Sequence, residues 1–178
     1  CFGGFLGITG LRLAWAGGAA WLWAGLFLGC LAASLGVIVW SQRNPTPFRW
    51  RIRLLFYPAV MGITFFAMGP AVPLLGQATL DARLLAWDRW LLGETPSVSW
   101  ISWAKPWLVD VAMAGYLFFF VYLVVGPGIY CLRGLSLFRK CIVGLFTLYG
   151  LGFLCYTLFP AGGPHRFLEY ATPLKGVW

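Results

Sequence analysis

The sequence predicts an all-α fold, a polytopic bundle of about four membrane-spanning helices with one or two interfacial amphipathic helices. Three observations predict it. Of 178 residues, 61% are hydrophobic, 19% aromatic and only 10% charged, with a mean hydropathy of +0.81. A soluble domain carries roughly 25% charged residues, so the chain has too little polar surface to face water. Four stretches run without a formal charge for long enough to cross a bilayer, which takes about 20 apolar residues. The cations collect at the ends of these stretches. Residues 1–178 are therefore expected to form a single membrane-embedded domain.

The uncharged stretches are Leu13 to Trp40, Leu54 to Leu80, Val111 to Leu132 and Cys141 to Pro164. Cys1 to Leu11 is apolar but too short to cross. Arg43, Arg49, Arg51 and Arg53 follow the first stretch, and Arg133, Arg139 and Lys140 follow the third, in both places without an acid. The positive-inside rule assigns loops 41–53 and 133–140 to the cytoplasm. Residues 77–106 and the tail after Pro160 are then extracytoplasmic, in an integral protein of the plasma (inner) membrane. Trp40, Trp50, Trp87, Trp90, Trp100, Trp103 and Trp107 fall near the expected interfaces, where an amphipathic ring is favoured. Pro58, Pro70 and Pro73 punctuate the second span and Gly126-Pro127-Gly128 the third. Such punctuation gives either a kink that aids packing or a break that lines a cavity.

Segment 77–106 is expected to lie in the membrane interface. Thr79 to Gly93 reads as a short amphipathic helix, with Thr79 as N-cap, Asp81 at the positive N-terminal end and Gly93 just past the C-terminus. Leu80, Leu84, Trp87 and Leu91 make one apolar stripe. Asp81 and Asp88 share a second stripe, with Arg83 and Arg89 near enough to pair with them. Pro96 to Pro106 forms a further interfacial stretch.

Several classes are excluded. Cys1, Cys30, Cys131, Cys141 and Cys155 make no metal or redox spacing, and there is one histidine and no CxxC, so no metal and no cofactor is expected. The net charge of +8 flanks apolar segments rather than forming a base-stacking surface, so no nucleic-acid partner is expected. The lipid bilayer is the expected partner; the oligomeric state is open.

One place holds the residue types for chemistry. The last span ends in Phe159-Pro160-Ala161-Gly162-Gly163-Pro164-His165-Arg166, a Pro/Gly turn with the single histidine next to an arginine. Glycine lets backbone approach a ligand, and the planar arginine fork suits phosphate oxygens. The plainer alternative is a helix end with a snorkelling cation.

This turn, together with Asp81-x6-Asp88, Leu91-Leu92-Gly93-x2-Pro96 and Gly115-Tyr116, resembles the type 2 phosphatidic acid phosphatase superfamily, in its inositol phosphorylceramide synthase-like branch. The resemblance spans roughly Leu80 to Phe167. It implies a helical membrane bundle and a lipid-phosphate phosphatase or phosphotransferase working at the extracytoplasmic face, which adds a lipid phosphate substrate to the bilayer as a partner. It further implies a phosphohistidine mechanism: one histidine as nucleophile, a second as leaving-group acid, Arg/Lys on the phosphate, and no metal. Arg166 matches the phosphate-holding arginine of the first motif, and His165 is a weaker substrate-binding candidate beside it. The lysine that usually precedes that arginine is missing, and so are the motifs that supply both catalytic histidines. Those are expected downstream of Trp178. The chain is accordingly expected to be the N-terminal portion of a longer protein and inactive by itself. The competing expectation is a non-enzymatic transporter or scaffold subunit, which rests on the Pro/Gly breaks.

Overall fold

The computed structural model describes residues 1–103 and 105–163, and these are helical throughout apart from turns. In order they form α1 (Phe2–Ala16), α2 (Ala20–Arg43), α3 (Pro47–Ala71) with a 3₁₀ turn at Val72–Leu75, and α4 (Asp81–Leu92). The short α5 (Pro96–Ser99) follows, then a 3₁₀ turn at Trp100–Trp103, α6 (Pro106–Arg133) and α7 (Leu135–Leu158). Four helical segments are long and apolar enough to span a membrane: Ala20–Arg43, Pro47–Leu75, Pro106–Arg133 and Leu135–Leu158. The protein is thus an all-α integral membrane protein with spans where hydropathy places them. It divides into two compact units, one of Cys1–Ala78 with Pro127–Pro160, the other of Thr79–Gly126 with Ala161–Trp178.

The first expected span needs correction. Its opening residues belong to α1, because Gly17 and Gly18 take φ values of 73° and 55° and break the helix before Ala20. Only glycine adopts such angles readily. At about 1.5 Å per residue α1 is ~22 Å long, shorter than the ~30 Å hydrocarbon core. It is nonetheless a packed element. Its buried residues Phe2, Phe5, Leu6, Thr9, Gly10 and Leu13 recur at helical spacing and face α2 and α7. Between lipid-solvated helices, close packing replaces the hydrophobic effect as the source of association. Phe2 meets Phe146 edge-on at 5.4 Å, and Phe5 meets Phe27 at 5.7 Å and Phe153 at 5.4 Å.

The cations expected in loops sit on helices instead. Thr46 caps α3, its hydroxyl accepting from the Arg49 amide at 3.3 Å, and Pro47 supplies the pre-set φ of a first helical turn. Arg49, Arg51 and Arg53 therefore lie in the first two turns of α3, and Arg139 and Lys140 in α7. Arginine and lysine are good helix formers, so nothing in their backbone preference calls for a loop. The links between the helices shrink to Asn44–Thr46 and Gly134. Two of these arginines cap other helices: Arg49 donates to the Trp40 carbonyl of α2 and Arg51 to the Cys131 carbonyl of α6, each at 3.4 Å. At the opposite end Arg12 donates to the Thr157 carbonyl of α7 at 2.7 Å. All three carbonyls lie in the last turn of a helix, where no intrahelical N–H remains to meet them. Buried hydroxyls follow the same logic: Thr64 bonds back to Val60 and Ser34 to Cys30, each one turn earlier.

The helices run through their prolines. α3 contains Pro58 and Pro70, and α6 continues across Gly126-Pro127-Gly128 to Arg133.

Gly150 marks a close approach of α7 to the start of α1. A Cβ there would lie 2.6 Å from the backbone N and Cα of Phe2. Gly150→Ala is expected to force α1 off α7 and cost about 1–3 kcal/mol, read as a lower thermal unfolding midpoint in detergent. Gly144→Ala, whose Cβ meets nothing within 4 Å, is the control. Equal midpoints for the two variants would contradict this packing.

Candidate functional site

α4 starts at Asp81 and ends at Gly93, whose φ of 74° stops the helix as its sequence suggests. Its N-cap is Leu80 rather than Thr79. No side chain caps the first turn. Leu84, Trp87 and Leu91, three of the expected apolar stripe, are exposed.

Asp81 is buried and held by backbone donors. Its side chain is only 4% exposed, the one buried acid among the described residues. The Gly162 amide donates to both carboxylate oxygens at 3.0 Å, and the Gly163 amide donates to Oδ1 at 2.9 Å. Two successive amides converge on one anion only when the backbone curls, and Gly163 takes φ 88° to do so. Burial works against the charged carboxyl. The Gly162 and Gly163 amides and the Thr79 hydroxyl outweigh it and hold Asp81 below its ordinary range. The expected Asp81–arginine pairing gives way to this arrangement. Arg89 turns elsewhere, its Nε donating to the Thr95 hydroxyl at 3.4 Å and tying the end of α4 to the start of α5.

A cavity of about 260 Å³ lies beside the turn, lined by Asp81, Leu84, Leu85, Asp88, Ala161 and Gly163. The two acids that share a helical stripe thus share a cavity. No group of three or more His, Cys, Asp or Glu placed to hold a metal ion occurs among the described residues. The glycine amides, free to meet an anion when read from sequence, are occupied by Asp81. A phosphate at this turn would have to draw on the residues beyond it. Arg166 and His165, the expected substrate-binding residues, lie outside the described residues.

Sequence reasoning placed Asp81 on α4 and singled out the glycine turn, but did not join them. Residues 81 positions apart are not connected by any periodicity. The one available signal was a carboxylate at the edge of an apolar segment, which must find donors to stay charged. Comparison with protein-family models, curated proteins and solved structures finds no match for the chain.

Asp81→Asn keeps the shape and removes the charge, and an amide nitrogen then faces one of the glycine N–H groups. Hydrogen bonds to charged groups contribute about 1.5–3 kcal/mol each. The Gly162 and Gly163 amides are therefore expected to exchange hydrogen at least tenfold faster in the variant. A carboxyl with a lowered pKa stabilises fully above its unfolded value, about 3.9, and loses that contribution as pH falls through the folded value. In the wild type, protection corrected for intrinsic rates should persist to below about pH 4 and then fall, whereas the variant should show no such step. Equal protection in both proteins would contradict the assignment.

Proposed function

We propose that the chain is the membrane-embedded part of a lipid-phosphate phosphatase or phosphotransferase, with its phosphate site at the extracytoplasmic end of α7. One observation carries the reading. The two segments on which the family resemblance chiefly rests, Asp81-x6-Asp88 and the turn that runs on to Arg166, are joined by the Asp81 bonds to Gly162 and Gly163. A catalytic arginine must be held in place to be useful. Asp81 fixes the backbone three residues before Arg166, and it fills the glycine amides, so the charge for holding a phosphate falls to the arginine itself. The fork of Arg166 would grip two phosphate oxygens, with His165 next to it.

Sidedness rests on the cations. Arg43, Arg49, Arg51, Arg53, Arg133, Arg139 and Lys140 stand at the connections between α2 and α3 and between α6 and α7, and the first-unit residues hold no acid at all. The positive-inside rule assigns those connections to the cytoplasm and the Pro160–Arg166 turn to the outside of the plasma (inner) membrane. The competing transporter or scaffold reading rests on broken helices: α3 and α6 run on through Pro58 and Pro127, while the second span passes into a 3₁₀ turn at Pro73.

The test is phosphate release from, or headgroup transfer to and from, phosphatidic acid in membranes containing the full gene product. Loss of one preorganised group that stabilises developing charge costs about 10²–10³ in turnover. Arg166→Ala should fall by that factor and Arg166→Lys by less, with protein levels equal. Unchanged turnover in Arg166→Ala would remove the arginine from the site.

A further inference from the structure

The first unit contains Arg12, Arg43, Arg49, Arg51, Arg53, Arg133, Arg139 and Lys140 but neither Asp nor Glu. Its cations must therefore find acceptors other than carboxylates. Arg12, Arg49 and Arg51 do so at helix carbonyls. Arg53 and Arg139 do not. Arg53 gives one long bond, 3.4 Å, to the Ser41 hydroxyl, and its Nε is buried with no hydrogen-bond partner. Arg139 has no hydrogen-bond acceptor among the described residues, and both guanidinium groups rest on the same indole. Arg53 stands 4.7 Å and Arg139 4.5 Å from the centroid of Trp50.

Arg53 is half-buried and Arg139 is exposed. An indole face attracts a cation but cancels none of its charge, so the two guanidiniums share one ring without a counter-charge. The buried Arg53 Nε, which has no acceptor, adds to the cost. Both deficits have one remedy, an anion with several oxygens placed between the guanidiniums. Trp50, Arg53 and Arg139 line a cavity of about 290 Å³. The rest of its wall includes Tyr57, Ile142 and Phe146, which are apolar or nearly so. The cavity lies near the starts of α3 and α7, two helices long and apolar enough to span a membrane. Charge at one end and an apolar wall at the other describe an amphiphile rather than a small ion.

We propose that this cavity binds the phosphate of an anionic phospholipid, held by Arg53 and Arg139 across Trp50, with an acyl chain along Tyr57 and Phe146. The site shares no residue with the Asp81–Gly163 turn and does not depend on the reading given to that turn. Phosphate oxygens suit the guanidinium fork in number and spacing, and the anionic leaflet supplies the ligand.

The test uses the full chain purified in neutral detergent, with retained lipid counted by native mass spectrometry. Phosphatidylglycerol should bind at least tenfold more tightly than phosphatidylcholine. The Arg53→Gln/Arg139→Gln double variant should lose about tenfold or more of that affinity. Arg43→Gln, which removes a cation elsewhere in the unit, should keep it. Equal loss in Arg43→Gln would reduce the effect to general surface charge and overturn the proposal. Displacement of phosphatidylglycerol by millimolar inorganic phosphate would assign the site to free phosphate, and would overturn the lipid assignment. A second measurement stands even if the double variant fails to fold. Phosphatidylglycerol with brominated acyl chains should quench Trp50, read as the difference between wild type and Trp50→Phe, more than brominated phosphatidylcholine does. Equal quenching by the two lipids would overturn the proposal as well.

Discussion

Satisfaction of charge without charge partners governs the structure. In a low-dielectric bundle an ion needs compensation at close range, and the first unit offers its arginines no carboxylate. Helix ends take over that role. Each α-helix finishes with carbonyls that lack an intrahelical donor and carry partial negative charge. Arg12, Arg49 and Arg51 are placed at three of these ends, on α7, α2 and α6. The second unit uses the converse device, in which two glycine amides surround the Asp81 carboxylate. These four charges fix helix termini and one turn.

Packing supplies the rest of the cohesion. Lipid is as apolar as leucine, so burying leucine between helices gains little, and contact distance decides. The stripe on α1 from Phe2 to Leu13 is half aromatic or small, and Gly150 on α7 lets the two backbones touch. Edge-on contacts among Phe2, Phe5, Phe27, Phe146 and Phe153 fill the space between α1, α2 and α7. Thr9 and Thr157, both buried, face each other at 3.4 Å in the same interface, where a hydroxyl pair needs no water.

The spans were legible because uncharged length is a strong signal, and each of the four expected spans corresponds to a helix of spanning length. Their ends were less so. Gly17-Gly18 sits inside an uncharged run, and hydropathy cannot see a positive φ, so an uncharged stretch from Leu13 takes the last residues of α1 into the next helix. Charge usually marks a boundary, which suggests a loop for the arginines of α3; the Thr46 cap and Pro47, which start the helix six residues before Arg53, are the local features that make it a helix instead. At the candidate site, the glycine turn and the Asp81–Asp88 stripe could be read from spacing alone. The bond between them could not, since no sequence rule relates residues so far apart. Arg53 and Arg139 likewise looked like ordinary topology signals, and only their shared contact with Trp50 sets them apart.

Both proposed sites presuppose a direction across the membrane, and that direction is measurable. In a version of the chain whose five cysteines are replaced by serine, single cysteines are introduced by Gln42→Cys at the end of α2 and Gln77→Cys after the 3₁₀ turn that follows α3. Intact cells are then treated with a membrane-impermeant maleimide. Labelling of Gln77→Cys in intact cells is expected, with Gln42→Cys labelled only after lysis. The reverse pattern would put the connection between α2 and α3 outside and overturn the sidedness on which both sites rest.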